Sequence, residues 1–227
     1  MLARDWYYNE RRQIGLDSAV AAIYDRHDDS DLRARAALTM LGVQRGWRLA
    51  DIGCGNGLLA VEAALMGAEV DAIDISPAML RLAEIQARDR KVAIRTQSAG
   101  LLSFAYQPNS YDLIVSEFAL HHLPDFWKAV ALSRLHGWLR PGGILFLRDV
   151  VFSFGPADCA RGVEDWIARV AQPSGQGFTR KDFATHVREE HSSFRWILEG
   201  LIERAGFRIL AVDSTDEAYA DFRCVKP

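Results

Sequence analysis

Residues 49–60 read Leu49-Ala50-Asp51-Ile52-Gly53-Cys54-Gly55-Asn56-Gly57-Leu58-Leu59-Ala60. A short apolar run ends at Asp51, three glycines follow at alternate positions, and an apolar, helix-favouring stretch begins at Leu58. This is a strand, a tight turn and a helix. A turn without Cβ atoms lets a ligand lie directly on the main chain, at a helix N-terminus. The bland alternative is a glycine turn that only packs a helix closely on a sheet.

Glycine spacing narrows the ligand. The dinucleotide fingerprint is G-x-G-x-x-G, with a pyrophosphate at the helix N-terminus. Here the third glycine comes one residue early, and Leu58 stands where that pattern has glycine. Strand, aspartate, G-x-G-x-G and helix together resemble motif I of the class I S-adenosylmethionine-dependent methyltransferases, of the small-molecule type 11/25 kind. The resemblance implies a turn facing the amino acid part of that cofactor, with Asp51, Gly53, Cys54, Gly55 and Gly57 around it.

The next segment agrees. Residues 70–75 (V-D-A-I-D-I) form a second apolar strand before Ser76-Pro77. Serine caps a helix and proline suits its first position, so Asp74 is left for another task. Two carboxylate oxygens match the two hydroxyls of a ribose. The resemblance gives Asp74 that role, with Ile75 beside it. After the third strand many relatives carry an aspartate for the adenine amino group. The matching residue here is Ser98, a weaker acceptor, with Ala99 and Leu101 as apolar support.

Around this centre the chain alternates. Strands are expected at 48–52, 69–73, 92–97, 111–116 and 144–151, and helices at 58–66, 77–89 and 124–138. Such alternation implies parallel strands with right-handed crossovers. Two strands at 207–214 and 218–226 close the chain, and the family likeness makes the last antiparallel. The expected fold is a Rossmann-like, doubly wound, seven-stranded α/β sheet. The expected division is one domain: a helical N-terminal cap at 1–47, with helices at 18–25 and 31–41; a cofactor-binding core at 48–151; a helical insertion at 152–206; and a terminal β-hairpin at 207–227. In the insertion, helices are expected at 158–170, after Thr179, and from about 193 to 205.

Residues 116–125 (S-E-F-A-L-H-H-L-P-D) follow the fourth strand and resemble motif IV of the family. Ligands of open α/β sheets bind at such carboxyl ends beside the switch in strand order. Ser116 is expected to line the cofactor. Glu117 and His121 are rival candidates for a general base, since either could take a proton from an attacking hydroxyl or amine. The alternative packs one histidine under the cofactor and caps backbone groups with the other. Tyr7 and Tyr8, early in the cap, are expected to fold over the methionine end of the cofactor, with cation–π attraction to its sulfonium. His122 and Asp149 are expected toward the substrate; Asp149 would orient a substrate amine or pair with Arg148. Most of the insertion's aromatics are expected to form its own small core. His186 and His191, among acids and arginines, are expected in solvent.

The 227 residues are 49% hydrophobic and 25% charged, with net charge −3. That suits a folded α/β domain and argues against disorder. No basic block points to nucleic acid as partner. Cys54, Cys159 and Cys224 show no C-x-x-C and read as reduced thiols. No metal site is expected. The N-terminus does not read as a signal peptide and no apolar run approaches 18 residues, so the expectation is a cytoplasmic protein without a membrane span, as monomer or homodimer. The expected function is methyl transfer from S-adenosylmethionine to an O, N or C nucleophile of a small molecule. The alternatives are a same-fold enzyme that cyclises or cleaves the cofactor, and a non-catalytic partner subunit.

Overall fold

The computed structural model describes residues 7–10 and 30–227. The helix expected at 18–25 lies outside the described residues. Helix α1 (Ser30–Met40) precedes the sheet, and Gly42 leaves it with φ 71°.

Strand β1 (Arg48–Ile52) leads through the glycine turn to α2 (Leu58–Leu65). Then come β2 (Glu69–Asp74), α3 (Pro77–Asp89), β3 (Arg95–Ser98) and β4 (Tyr111–Glu117). A 3-10 turn (Leu120–His122) and α4 (Asp125–Trp138) follow β4. Strand β5 (Leu139–Phe152) leads to the insertion, which contains α5 (Cys159–Val170), α6 (Arg180–Glu189), the two-residue β6 (Ser193–Phe194) and α7 (Arg195–Arg204). Strands β7 (Arg208–Asp216) and β8 (Tyr219–Val225) end the chain.

The sheet order is β3-β2-β1-β4-β5-β8-β7. β1 pairs in parallel with both β2 and β4, and β8 lies antiparallel between β5 and β7. The chain therefore starts at the middle, winds out to β3 and returns beside β1. The expected seven-stranded sheet is present, with β6 as an addition that pairs with the end of β5. Two residues are too short to show as a pattern in sequence.

β5 begins five residues earlier than expected. Leu139 pairs with Tyr111 and Ile144 with Leu113, so residues 140–143 bulge out of the ladder. That bulge is the Arg140-Pro141-Gly142-Gly143 reversal, with Gly142 at φ 77°. β3 begins at Arg95 where 92 was expected; Val92 instead closes α3, its N–H donating to Ala87 O at 2.9 Å.

Each sheet face carries its own core. Ile52, Ile114, Leu132, Leu135 and Ile202 pack on one side with α4 and α7. Leu49, Leu113, Val115, Leu38 and Leu59 pack on the other with α1 and α2. Alternate residues of β4 serve alternate faces, as the pleat requires. The insertion has a third core of Phe152, Phe154, Trp166 and Ile167. As expected, aromatics build it: Phe152 and Phe154 rings are 5.0 Å apart, and Trp166 meets Phe183 at 5.1 Å. Trp196 lies outside it, exposed. Thr179 starts α6 with a full capping box to Asp182.

Candidate active site

The winding puts the glycine turn after β1 next to the turn after β4, where the strand order reverses. Main-chain bonds fasten the glycine turn to β2: Gly53 N–H and Cys54 N–H both donate to Ile73 O, at 2.8 and 3.0 Å. Gly53, Gly55 and Gly57 all have positive φ, at 81°, 52° and 81°. Their reasons differ. A Cβ on Gly53 would stand 2.6 Å from Ala119 Cβ, and one on Gly57 would stand 2.4 Å from Ala83 Cβ. These two glycines permit close packing of the turn on its neighbours. A Cβ on Gly55 would meet nothing within 4 Å. Gly55 is where bare backbone faces open space.

Asp51 sits below this turn, 3% exposed. Among the described residues its Oδ2 is buried without a hydrogen-bond partner. Burial, with the nearby Glu117 and Asp74 charges, pushes its carboxyl well above the usual range. An orphaned buried carboxylate oxygen is costly to leave unmade, and a ligand cation would satisfy it.

Asp74 was expected to be left for a ligand. It is already engaged: Oδ2 accepts from Gly55 N–H at 2.9 Å and Oδ1 from Ser76 N–H at 2.8 Å. Four acceptor positions on a carboxylate make this compatible with further contacts. Ser98 lies beside Asp74 in the β2–β3 register, on the exposed side, and Ala99 is buried with its N–H on Asp74 O at 3.1 Å. Asp74, Ile75, Ser98 and Ala99 thus share one rim. Ser76 does cap α3, its Oγ accepting from Met79 N–H at 3.3 Å.

Ser116 belongs elsewhere. It is buried, and its hydroxyl donates to Ile52 O at 2.8 Å, tying β4 to β1. The sequence offered no signal for that bond, because its partner is a main-chain carbonyl 64 residues away.

Glu117 closes β4 in an ion pair with Arg148, 3.1 Å away. Arg148 also holds Asp221 through two contacts of 2.7 and 2.5 Å. Burial raises the Glu117 pKa, Arg148 opposes it, and Asp221 adds to the rise. Phe118 then takes a left-handed backbone, φ 51°, which is uncommon outside glycine. It turns the chain over the switch point.

His121, the second expected base, is clamped. It is 6% exposed, its Nδ1 is hydrogen-bonded to Asp149 Oδ1, and its Nε2 lies 3.0 Å from Glu190 Oε2. Burial opposes a charge on the ring, but Asp149 and Glu190 overcome it and push the pKa to about 9. At neutral pH in the absence of any other cation it is an imidazolium, which has no lone pair to accept a proton. Asp149 pairs with this histidine rather than with Arg148. Its Oδ2 also accepts His121 N–H at 3.0 Å and its Oδ1 accepts Val150 N–H at 2.8 Å. His122, burdened first by burial and then by the neighbouring charge, titrates at about 4 and stays neutral.

Residues 7–10 lie across this edge. Tyr8 Oη donates to His122 O at 3.1 Å, Tyr7 Oη to Leu102 O at 3.2 Å, and both rings pack on Trp127. Glu10 anchors them, accepting from Leu102 N–H at 3.0 Å and Ser103 N–H at 2.8 Å. The sequence reading passed over Glu10, whose partners are backbone amides more than 90 residues on. His186, expected in solvent, is instead a half-buried neighbour of His121, with ring centroids 5.0 Å apart. His191 is exposed as expected, but its N–H donates to His121 O at 2.8 Å.

Residues 49–143 match the family model described as a methyltransferase domain. The match runs from β1 into the start of β5, less than half of this chain. A Xanthomonas campestris "Ubiquinone biosynthesis O-methyltransferase" is 38% identical over 104 residues, 45% of this chain and 42% of that protein. The chain thus matches less than half the length of this curated relative. Magnesium protoporphyrin IX methyltransferase from Synechocystis PCC 6803, solved with bound S-adenosylmethionine, shares the fold at 16% identity. Its TM-score is 0.67, over 99% of this chain and 100% of that one. The [4+2]-cyclase SpnF shares it at 19% identity and TM-score 0.66, over 87% of this chain and 80% of that one. No helix among the described residues is long and apolar enough to cross a membrane.

Proposed function

We propose that the chain is an enzyme that binds S-adenosylmethionine at the glycine turn and transfers its methyl group to a small-molecule nucleophile. The observation that carries this is the pairing of open backbone at Gly55 with the orphaned Oδ2 of Asp51. A ligand with a cationic amine and a slim chain fits both. The residues that would hold the cofactor are Asp51, Gly53, Cys54, Gly55 and Gly57 toward its amino acid end. Asp74 with Ile75 would hold the ribose, and Ser98 with Ala99 the base. Bound there, S-adenosylmethionine supplies a methyl group on a sulfonium, an excellent leaving group.

The protein's own contribution would be alignment and exclusion of water. Asp51 would fix the amine, Asp74 the sugar, and the segment around Tyr7 and Tyr8 would cover the edge where the acceptor enters. Glu117 and His121 are held in ion pairs, so the reading places no strong base beside the acceptor. His122 is the neutral imidazole nearest this edge and is the candidate to receive a weakly held proton. The Xanthomonas relative, named as an O-methyltransferase, favours oxygen as the attacking atom, in a molecule small enough for the cap. A net charge of −3 suits a small acceptor better than nucleic acid.

The [4+2]-cyclase among the structural neighbours shows that this fold hosts other chemistry. Product analysis separates the readings. Incubation with S-adenosylmethionine and a panel of phenols and amines should yield S-adenosylhomocysteine and a methylated acceptor. Formation of 5′-methylthioadenosine alone supports cofactor cleavage instead, and no cofactor consumption with any acceptor counts against methyl transfer.

A further inference from the structure

Three side chains from separate parts of the chain converge beyond His121. His186 and Glu190 lie four residues apart, on one face at the end of α6. His121 comes from the turn after β4. The inward atoms of all three lie within 4.8 Å of one another. His121 Nε2 is 3.0 Å and His186 Nδ1 2.8 Å from the same oxygen, Glu190 Oε2. His122 Nδ1 is 3.5 Å from it.

Against burial, pairing with the two imidazoles lowers the Glu190 pKa, yet the hydrogen-bond geometry at its inward oxygen is poor. Among the described residues Glu190 Oε2 is buried and meets no donor in hydrogen-bond geometry. The outer nitrogen of each ring is engaged: His121 Nδ1 by Asp149, and His186 Nε2 by Ser192 Oγ at 2.8 Å. A neutral His121 that donates Nδ1–H to Asp149 turns the Nε2 lone pair toward a carboxylate oxygen. Two lone pairs at that distance repel unless a proton or a metal ion lies between them, and either one can fill this position. Histidines that bind metals carry this same outer bond to a carboxylate, which fixes the tautomer.

We propose that His121 Nε2, His186 Nδ1 and Glu190 form a divalent transition-metal site of the zinc type, with His122 Nδ1 as the nearest fourth donor. Two imidazoles and a carboxylate are a borderline-soft set suited to zinc, cobalt or iron(II) and not to calcium or magnesium. Tetrahedral zinc spaces such ligand atoms about 3.3 Å apart, and the observed separations bracket that figure. A groove of about 320 Å³ beside Glu190, lined by Pro124, Asp125, Ser192 and Phe194, gives an ion a way in. The ion fastens the insertion to the turn after β4. This goes beyond the methyltransferase reading and does not depend on it.

The test needs no methyl cofactor. Chelator-stripped protein is titrated with Zn²⁺ alone by calorimetry and with Co²⁺ by visible absorption. The expected result is one ion per chain, a raised melting temperature, and Co²⁺ bands of imidazole coordination. His186→Ala and Glu190→Gln should each weaken Zn²⁺ binding by roughly tenfold or more. His191→Ala, in the same segment but exposed, should not. Absent binding, or binding that survives both ligand variants, would overturn the proposal and leave an ion-pair network held together by protons. Should a variant fail to fold, the Co²⁺ spectrum of the unaltered protein decides the matter.

Discussion

Asp74 Oδ2 accepts the main-chain N–H of Gly55 at 2.9 Å, so the end of β2 and the middle of the glycine turn are one unit. A single carboxylate shapes the turn and offers itself to the sugar of a ligand lying there. Asp74→Ala should therefore weaken S-adenosylhomocysteine binding by about 100-fold or more, and cost about 1–3 kcal/mol of stability for the amides left unpaired. Asp74→Asn retains one acceptor and should lose less of both. Calorimetry and thermal melts, run on each variant, read the two effects separately.

Gly55 and Gly57 should behave as opposites. At Gly55 the added methyl meets nothing, so Gly55→Ala costs about 1–2 kcal/mol for its left-handed backbone. The methyl would occupy the space meant for the ligand, and affinity should fall at least tenfold. At Gly57 the methyl collides with Ala83 on α3, and Gly57→Ala should lower the melting temperature strongly through overpacking. Equal melting temperatures for the two variants would contradict this division.

Asp51 carries a stability cost that a ligand offsets. Its folded pKa is raised, chiefly by burial. Above the unfolded value of about 4 the unfolded chain loses this proton first, so the unfolded state binds fewer protons and stability falls as pH rises. Asp51→Asn removes that slope. In the absence of ligand the variant should match the parent near pH 4 and exceed it at pH 8. Its affinity for S-adenosylhomocysteine should fall. Denaturant melts across this pH range check the sign.

Lys128 is 2% exposed on α4, yet its ammonium is fully engaged. Nζ donates to Asp125 Oδ1 at 2.9 Å, to Ser193 Oγ at 2.5 Å and to His191 O. It binds the end of the insertion to the sheet edge. Lys128→Ala should cost about 3 kcal/mol and speed amide exchange at residues 191–195, with little change near the glycine turn.

Local chemistry was the legible part. The bounds of β1 and α3 follow from an apolar run ending at Gly53 and from Ser76-Pro77, which are signals within a few residues. The sheet order follows from alternation of strands and helices, and the glycine turn from its own spacing. Contacts across the chain left no such trace. Nothing near Ser116 shows that its hydroxyl meets Ile52 O, and nothing in the pair His121-His122 shows Asp149 on one side and Glu190 on the other. Those partners stand 28 and 69 residues away in sequence, brought in by β5 and by the insertion. Hence His121 read as a base, and His186 as a solvent residue, although folding buries the first and half-buries the second beside carboxylates.

The central claim is that the turn from Gly53 to Gly57 cradles a sulfur nucleoside whose sugar rests on Asp74. A crystal structure with S-adenosylhomocysteine tests it most directly. The account predicts the ligand's amine at Asp51, its chain against Gly55 and its ribose hydroxyls on Asp74. A ligand seated elsewhere, or crystals soaked at saturating concentration that show none, would contradict it.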